Sequence, residues 1–506
     1  MHRTRRQPPL RILSVSAEVA PYSKTGGLGD VASALPKALH QPDDETYPIQ
    51  VTTLTPLYRC VREVLHKRKE EVRDTGVRIS ADLGDRVYQG KIYQLVQPYG
   101  PRLLFVHCPA LYDRDGIYDD PEAKRQHGDN PIRFMFLCHA AMQLGQHLPE
   151  GVPDILHTHD WQTALLPLLK KFYNHPAWSH TKTVYTIHNL AYQGVFSPDW
   201  LPILRLPMWL MQMDMLEYFG AMNCMKAGIR FADAVTTVSP SYAKEIQATK
   251  FGEGLDTFIS AWAPETRGIL NGIDTSEWNP EEDRQIERTY SVKKFDGKFI
   301  NRKALAHRFG LQAGPGDPIF GIVSRFAHQK GLDIVADLIP ELITTGSRIV
   351  ILGSGDPALE ARFEELGKRF PKHVGVKVGF DAKLAHQIEA GADAFVMPSR
   401  YEPCGLNQMY SMRYGTIPIV HRVGGLRDTV TDTMETTARH GLATGFRFDV
   451  CDGDGLRWGL SRAVKTYRQD PRLWHQLRVT GMQQDFSWNR SAGEYLALYL
   501  QLLGRE

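Results

Sequence analysis

Short apolar runs alternate with helix-length amphipathic segments along most of the chain, and this alternation narrows the fold more than any other feature. ILSVSA (12–17), IQVTTLTP (49–56), LLFVHC (103–108), DILHTHD (154–160), TVYTIHN (183–189) and AVTTVS (234–239) are apolar or β-branched at nearly every position. A strand wet on one face alternates apolar and polar residues. Runs this continuous belong to a parallel sheet covered on both faces. Segments such as GDVASALPKALH and TALLPLLKKFYN, with helical spacing, lie between them. The pattern predicts a doubly wound α/β domain. It pauses over residues 262–284, where Pro, Gly, Asn and acidic residues concentrate. It resumes in IFGIVSR (319–325), RIVILGSGD (348–356), VGVKVGF (374–380), AFVMPS (394–399) and TIPIVHR (416–422), which predict a second α/β domain. The expected organisation is a first domain over 1–262, a second over 263–485 and a closing amphipathic helix within 486–506.

A chain of 506 residues is too long for one core, which agrees with two domains. With 60 basic and 57 acidic residues the net charge is +3, so the overall charge does not point to a nucleic-acid partner. The six cysteines form no CxxC pair, which argues against a zinc knuckle or a thioredoxin-type site, and their scatter fits a reducing cytoplasm. The basic N-terminus MHRTRRQPPL is followed by no signal core. The most apolar stretch, WLPILRLPMWLMQMDML (200–216), is interrupted by Pro202, Arg205, Pro207 and Asp214. It reads as a buried helix or a surface-loop helix, and no membrane partner is expected.

In open α/β sheets ligands sit beyond the carboxyl ends of strands, so motifs that directly follow a strand carry the chemistry. SKTGGLGDVASALPKAL (23–39) packs glycines between a strand and a helix start, a geometry that receives anions, although it has neither GxGxxG nor a Walker A ending. SRFAHQKGLD (324–333) puts Arg325 and Lys330 where two cations could neutralise a diphosphate, or stand solvated on a loop. PSRYEPCGLNQMY (398–410) offers Glu402 either to sugar hydroxyls and developing positive charge or to the start of the next helix. Its loop amides could bind phosphate, and Cys404 reads as structural. LHTHDWQTALLP (156–167) places His159 and Asp160 at a strand end, as a sugar-facing histidine or a buried Asp–His pair. YTIHNLAYQG (185–194) repeats the logic with His188 and Asn189. No ligand cluster completes a metal site around these histidines. LGSGD (352–356) offers the amides of Gly353 and Gly355 near a nucleotide. LNGID (270–274) leaves Asn271 to bond ligand or backbone, and Gly424 and Gly425 in VGGLRDTV read as close-packing glycines.

KTGGLGD, HTHDWQ, IHNLAYQG, LNGID, SRFAHQKGLD, LGSGD and PSRYEPCGLNQ occur together in the order found in bacterial glycogen synthases and plant starch synthases, and the chain resembles that family over essentially its whole length. The resemblance implies a GT-B fold, with two Rossmann-like domains facing a cleft and a C-terminal helix returning to the first. It implies glucose transfer from ADP-glucose to the non-reducing end of an α-1,4-glucan, with retention of configuration and with no metal or other cofactor. Carried over by motif, Lys24 and the backbone of Gly26 and Gly27 approach the donor phosphates, and Asp30 serves the glucosyl or acceptor side. Arg325 and Lys330 hold the leaving diphosphate. Glu402 contacts the transferred glucose, helped by the amides of Cys404, Gly405 and Leu406. His159 lies under the anomeric carbon, where a backbone carbonyl can stabilise an oxocarbenium-like state, and Asn271 lines the sugar pocket. Two departures bear on the donor. Tyr410 stands where the wider group of retaining transferases carries a second glutamate, which sets the animal and fungal branch aside and favours ADP-glucose over UDP-glucose. Asn407 stands where many bacterial members have Thr. The competing readings are a related transferase using UDP-glucose or a small acceptor such as glucose 1-phosphate or a maltooligosaccharide, a nucleotide-sugar epimerase on the same fold, and a non-catalytic glucan-binding relative. Oligomeric state is not legible.

Overall fold

The structure, a computed structural model, describes residues 9–41 and 48–505, so the basic residues 1–8 lie outside the described part. The chain divides into two compact units. The first comprises Met1–Val238, Ala243–Ile269 and Trp488–Glu506, and the second Ser239–Tyr242 and Leu270–Ser487. Residues 263–269 stay with the first unit because Arg267–Gly268 adds a short parallel strand beside Ala234–Thr237.

The first unit is built on a 9-stranded sheet. Across it run Arg267–Gly268, Ala234–Thr237, Lys182–Ile187, Ile155–His159, Leu10–Val15, Ile49–Pro56, Arg102–His107, Arg86–Leu95 and Val72–Leu83. The last two form an antiparallel hairpin on the edge, and the others pair in parallel. Among the parallel strands the first in sequence sits inside the sheet. The next two are added on one side and the later ones on the other. The chain therefore reverses its direction of travel between Leu10–Val15 and Ile155–His159. The hairpin escapes the sequence reading because its strands are wet on one face. Val72–Leu83 alternates exposed charged residues with buried Ile79, Ala81 and Leu83.

The helix Trp488–Leu503 belongs to this first core. Trp488, Ala492, Tyr495, Leu498 and Tyr499 pack with Leu10, Ile12, Val31, Leu35 and Leu39. Each such large apolar side chain stabilises by about 1.5–3 kcal/mol on burial. The apolar stretch 200–216 is not one helix. Its prolines leave the short turns Trp200–Ile203 and Met208–Leu210, with Leu201, Leu204, Leu206, Leu210 and Leu216 buried and Met208, Trp209 and Met213 exposed.

The second unit holds a 6-stranded sheet in the order Val374–Val378, Arg348–Gly355, Ile319–Phe326, Ala394–Met397, Ile417–His421, Phe446–Phe448, all parallel. Again the first strand is interior and the order reverses beside it, between Ile319–Phe326 and Ala394–Met397. That is the Rossmann arrangement, and such a reversal opens a crevice at the carboxyl ends of the two strands. Among the described residues no helix is long and apolar enough to cross a membrane.

Candidate active site

The reversal in the second sheet brings two of the sequence motifs together. Strand Ile319–Phe326 delivers Arg325 and, one turn later, Lys330. Strand Ala394–Met397 delivers Ser399 and Glu402. Lys330 Nζ donates to both carboxylate oxygens of Glu402, at 2.7 and 2.9 Å, and Ser399 Oγ donates to Glu402 Oε2 at 2.8 Å. Glu402 is buried, so its charge leans on Lys330 more than on water. The carboxylate therefore does not cap the following helix Asn407–Arg413. Arg325 is exposed and has no carboxylate partner among the described residues.

Glycine makes this approach possible. Gly331 follows Lys330 at φ 64, and a Cβ there would lie 2.1 Å from the Pro398 carbonyl oxygen. Gly424 and Gly425 press on the other side. Added Cβ atoms would lie 2.0 Å from Glu402 O and 2.1 Å from Cys404 O, so their reading as close-packing residues holds. The segment Ser239–Tyr242 joins the same loops: Ser239 Oγ donates to Pro403 O, and Asp428 accepts from the amide and hydroxyl of Ser241.

Cys404 is buried and its thiol is pushed up to about 12 by desolvation, which suits a structural residue. Asn271 comes close to it and is buried, with a side-chain oxygen that has no hydrogen-bond partner among the described residues. Gly405 takes φ 72 and lets the loop turn into the helix beside Leu406. Asn407 Nδ2 donates to Val323 O at 2.6 Å, tying the two strand-end segments together. Tyr410 turns away into a stack, 3.8 Å from Trp278, which in turn lies 3.9 Å from His386. Gly353 and Gly355 do less than the sequence suggested. The Gly355 amide is given to Glu360, and Cβ atoms at the two positions would strike Ser324 O and Phe326 O. Their visible work is to let two strands lie close.

In the first unit the glycine-rich loop leaves strand Leu10–Val15. Gly26 caps the helix Gly27–Leu39. Lys24 Nζ and Asp30 Oδ1 pair at 2.7 Å, half in solvent. The loop is held from below by Glu18, which is buried and accepts from the Thr25 amide at 2.6 Å, the Thr25 hydroxyl at 2.7 Å and the Tyr118 hydroxyl at 2.6 Å. Gly26 is extended, and a Cβ on it would meet nothing within 4 Å. Neither its backbone nor its packing therefore demands glycine.

Across the reversal, strand Ile155–His159 ends in a chain of imidazoles. His159 Nε2 lies 3.2 Å from Ser14 Oγ, and His159 Nδ1 lies 3.1 Å from His188 Nε2. His157 bonds Thr186 Oγ1 at 2.6 Å and the Tyr499 hydroxyl of the closing helix at 2.7 Å. Desolvation holds all three rings neutral, with His157 and His188 pushed down to about 3. The His159 carbonyl accepts from the Thr163 hydroxyl at 2.8 Å. Asp160 is buried with φ 54, and its Oδ1 accepts from the His188 amide at 2.7 Å and, at the long limit of 3.4 Å, from the Asn189 amide. Burial pushes its carboxyl up to about 7. The Asn189 side chain is spent on its own loop, accepting from the Ala191 amide. Among the described residues no group of three His, Cys, Asp or Glu side chains could hold a metal ion.

The chain is similar to known proteins over its whole length. Residues 11–261 match the family model of the starch synthase catalytic domain, and residues 305–473 match that of the group 1 glycosyl transferases. Glycogen synthase 1 of Rhizobium meliloti is 42% identical, covering 98% of this chain and 100% of the relative. Glycogen synthase of Myxococcus xanthus is 43% identical with the same coverage. The chain belongs to the glycogen and starch synthase family. It is a glucosyltransferase of that family. The catalytic domain of Arabidopsis thaliana starch synthase IV, solved with ADP and acarbose, is similar with a TM-score of 0.88 and 33% identity over 98% of this chain and 100% of that one. The fold is thus GT-B. A sucrose-phosphate synthase of Thermosynechococcus elongatus shares the fold at a TM-score of 0.58 and 18% identity, covering 98% of this chain and 100% of that one.

In each unit some partners of the candidate residues lie outside the motif reading. Ser399 touches Glu402, Ser14 touches His159, and Glu18 with Tyr118 holds the Thr25 segment of the glycine-rich loop, but none of them carries a spacing signature. Glu18 had one weak signal: it is a lone carboxylate at the end of an apolar strand, where a charge must find partners.

Proposed function

We propose that this synthase transfers glucose from ADP-glucose to the non-reducing end of an α-1,4-glucan, with retention and without a metal. The observation that carries the reading is the Lys330–Glu402 pair at the strand reversal of the second sheet, with the exposed Arg325 on the strand that leads to Lys330. As the bond from glucose C1 to the diphosphate oxygen breaks, negative charge gathers on the diphosphate. Arg325 and Lys330 offset it by hydrogen bonds from fixed cations. Glu402 lies against the sugar, where its carboxylate favours the positive charge developing at C1. The acceptor hydroxyl attacks the same face that the diphosphate leaves, and its proton passes to the departing phosphate oxygen. Bonds and charge then balance with no further reactant.

Gly26 supports a donor contact, since open space at its Cα suits a ligand close to the backbone. Lys24 and Gly27 are read as donor-phosphate contacts of the first unit, and Asp30 steers Lys24. Asn271, with its unpartnered oxygen, reads a sugar hydroxyl, and the amides of Cys404, Gly405 and Leu406 assist Glu402. His159 acts through its backbone, because both ring nitrogens are engaged inside the protein. Asn189 shapes the loop beside it. Gly353 and Gly355 serve the nucleotide side of the sheet through the close strand packing they permit. The ADP and acarbose held by the Arabidopsis structure support an adenine nucleotide and a glucan as partners. Six cysteines that form no disulfide among the described residues fit a cytoplasmic setting.

The test is the anomeric configuration of newly added glucose, followed by NMR, with and without a chelator. An α product at an unchanged rate in chelator is expected. A β product, or loss of activity restored by a divalent ion, contradicts the proposal.

A further inference from the structure

The stretch 200–216 takes no part in the strand-end chemistry, yet it leaves Trp209 half in solvent. Single exposed apolar side chains are ordinary, whereas a contiguous set marks a surface that binds something. Trp209 is one end of such a set. Its ring lies 5.4 Å from that of Phe172, and Phe172 meets Phe231 edge-on at 6.3 Å. Arg230 stands 5.5 Å over Phe231 and 3.7 Å over Trp262, which carries the run on to a fourth ring. Lys171 adds a second cation 5.7 Å over Phe231. Phe172, Trp209 and Trp262 are 41%, 48% and 39% exposed, so each is held on one side and offered to solvent on the other.

The sheet topology fixes where this run lies. Phe172, Phe231 and Trp262 stand in the last turns of the helices Leu165–Tyr173, Cys224–Phe231 and Asp256–Trp262. Each helix leads into a strand, and those strands, Lys182–Ile187, Ala234–Thr237 and Arg267–Gly268, are neighbours in the parallel part of the first sheet. The rings therefore gather at the amino ends of the strands. His159 and His188 stand at the carboxyl ends. A strand's length, about 17–20 Å, separates the two.

The chemistry of the run selects a sugar polymer. The faces of a glucose ring carry C–H bonds and pack flat on aromatic rings, while its rim of hydroxyls accepts hydrogen bonds from cations. Successive rings suit successive sugars of one chain. Arg230 and Lys171 are already ordered against the rings, so little freedom is lost when their N–H groups donate. Glucan is also the polymer of the family to which the chain belongs. We infer that Trp209, Phe172, Phe231 and Trp262, with Arg230 and Lys171, form a second glucan-binding surface on the first unit, remote from its strand-end site. The inference rests on the proposed reading that a glucan is the acceptor. The surface holds the polymer while its chain ends are extended elsewhere, and this tether raises the effective concentration of ends without touching the transfer step.

Trp209→Ala/Trp262→Ala removes both ends of the run. The full chain is compared with the parent by co-sedimentation with glycogen, by kcat and acceptor KM on glycogen and on maltotriose, by thermal unfolding and by light scattering. Maltotriose is too short to reach from the run to the site. The double variant is expected to sediment less with glycogen and to raise glycogen KM about 10-fold, with kcat and maltotriose KM within about two-fold of the parent. Trp209→Phe/Trp262→Phe keeps the ring faces and is expected to stay near the parent. Trp209→Ala alone, in a short half-exposed turn, carries the same test where the double variant unfolds early. Unchanged sedimentation and glycogen KM in a folded variant overturn the inference. So does an equal rise in KM for both acceptors, which would put the effect in the transfer site. A loss of self-association in light scattering with glycogen KM unchanged also overturns it, because the run would then be a contact between copies. Sedimentation needs no transfer, so the underlying reading fails separately: a parent that binds glycogen through this run but adds no glucose from ADP-glucose removes the proposed activity and leaves the surface standing.

Discussion

At the scale of single residues, the Lys330–Glu402 pair combines two roles that mutation can separate. Removing the lysine leaves a buried carboxylate with Ser399 as its remaining side-chain partner among the described residues, which costs about 1–3 kcal/mol. Lys330→Ala should therefore lower stability in urea and weaken ADP-glucose binding. Adding Glu402→Gln removes the stranded charge, so the double variant should regain stability without regaining turnover. Recovery of both together would make the pair structural. The histidines give a pH prediction. His157 holds no proton in the folded protein until about pH 3, whereas an unfolded histidine takes one near its ordinary value of 6.5. Between those values the unfolded chain binds more protons, so this group's contribution falls as pH falls. Asp160 and Glu389, pushed up to about 7 and about 8, act oppositely: the folded protein keeps protons that the unfolded chain releases above about pH 4. His157→Gln should flatten the loss of stability between pH 6 and pH 4, read from urea midpoints at several pH values. An unchanged slope would mean that His157 does not carry it.

At the scale of elements, the sheet strands were legible because burial on both faces leaves a continuous apolar run. The hairpin 72–95 was not, since half of each strand faces water and its charges resemble a loop. The stretch 200–216 misled for the opposite reason: its apolar content is high, but Pro202 and Pro207 divide it into turns. The motif residues were placed correctly at strand ends, whereas their partners were hidden. Nothing in the spacing of Ser399 or Glu18 says which side chain each will meet. Gly331 shows how an element depends on one such detail. Gly331→Ala should cost at least about 1–3 kcal/mol from its left-handed backbone, and the clash with Pro398 should part Lys330 from Glu402. Thermal unfolding and turnover should fall together. The closing helix offers a second check. Tyr499 is fully buried and bonds His157, so Tyr499→Ala should cost about 3–5 kcal/mol. A loss below 1 kcal/mol would mean that the helix is not part of the first core.

At the scale of the whole molecule, both units use one topological rule. Each sheet starts inside, grows to one side, then reverses, and each reversal gathers polar groups at strand ends. In the first they are Ser14, His159 and His188; in the second, Lys330, Ser399 and Glu402. Strand order is a long-range property, so periodicity alone could not supply it. The family resemblance did. The chain's near-balanced charge of +3 agrees with a neutral polymer acceptor while leaving local cations for a nucleotide diphosphate. The central claim is that the residues at the second reversal transfer glucose from ADP-glucose to a growing glucan. The most direct test is initial glucose incorporation into glycogen from ADP-glucose and UDP-glucose in parallel, for the parent and for Glu402→Ala. Efficient transfer from ADP-glucose, and a loss of several orders of magnitude in folded Glu402→Ala, is the predicted result. Transfer from UDP-glucose alone, no incorporation into glycogen from either donor, or parental turnover in Glu402→Ala would contradict it.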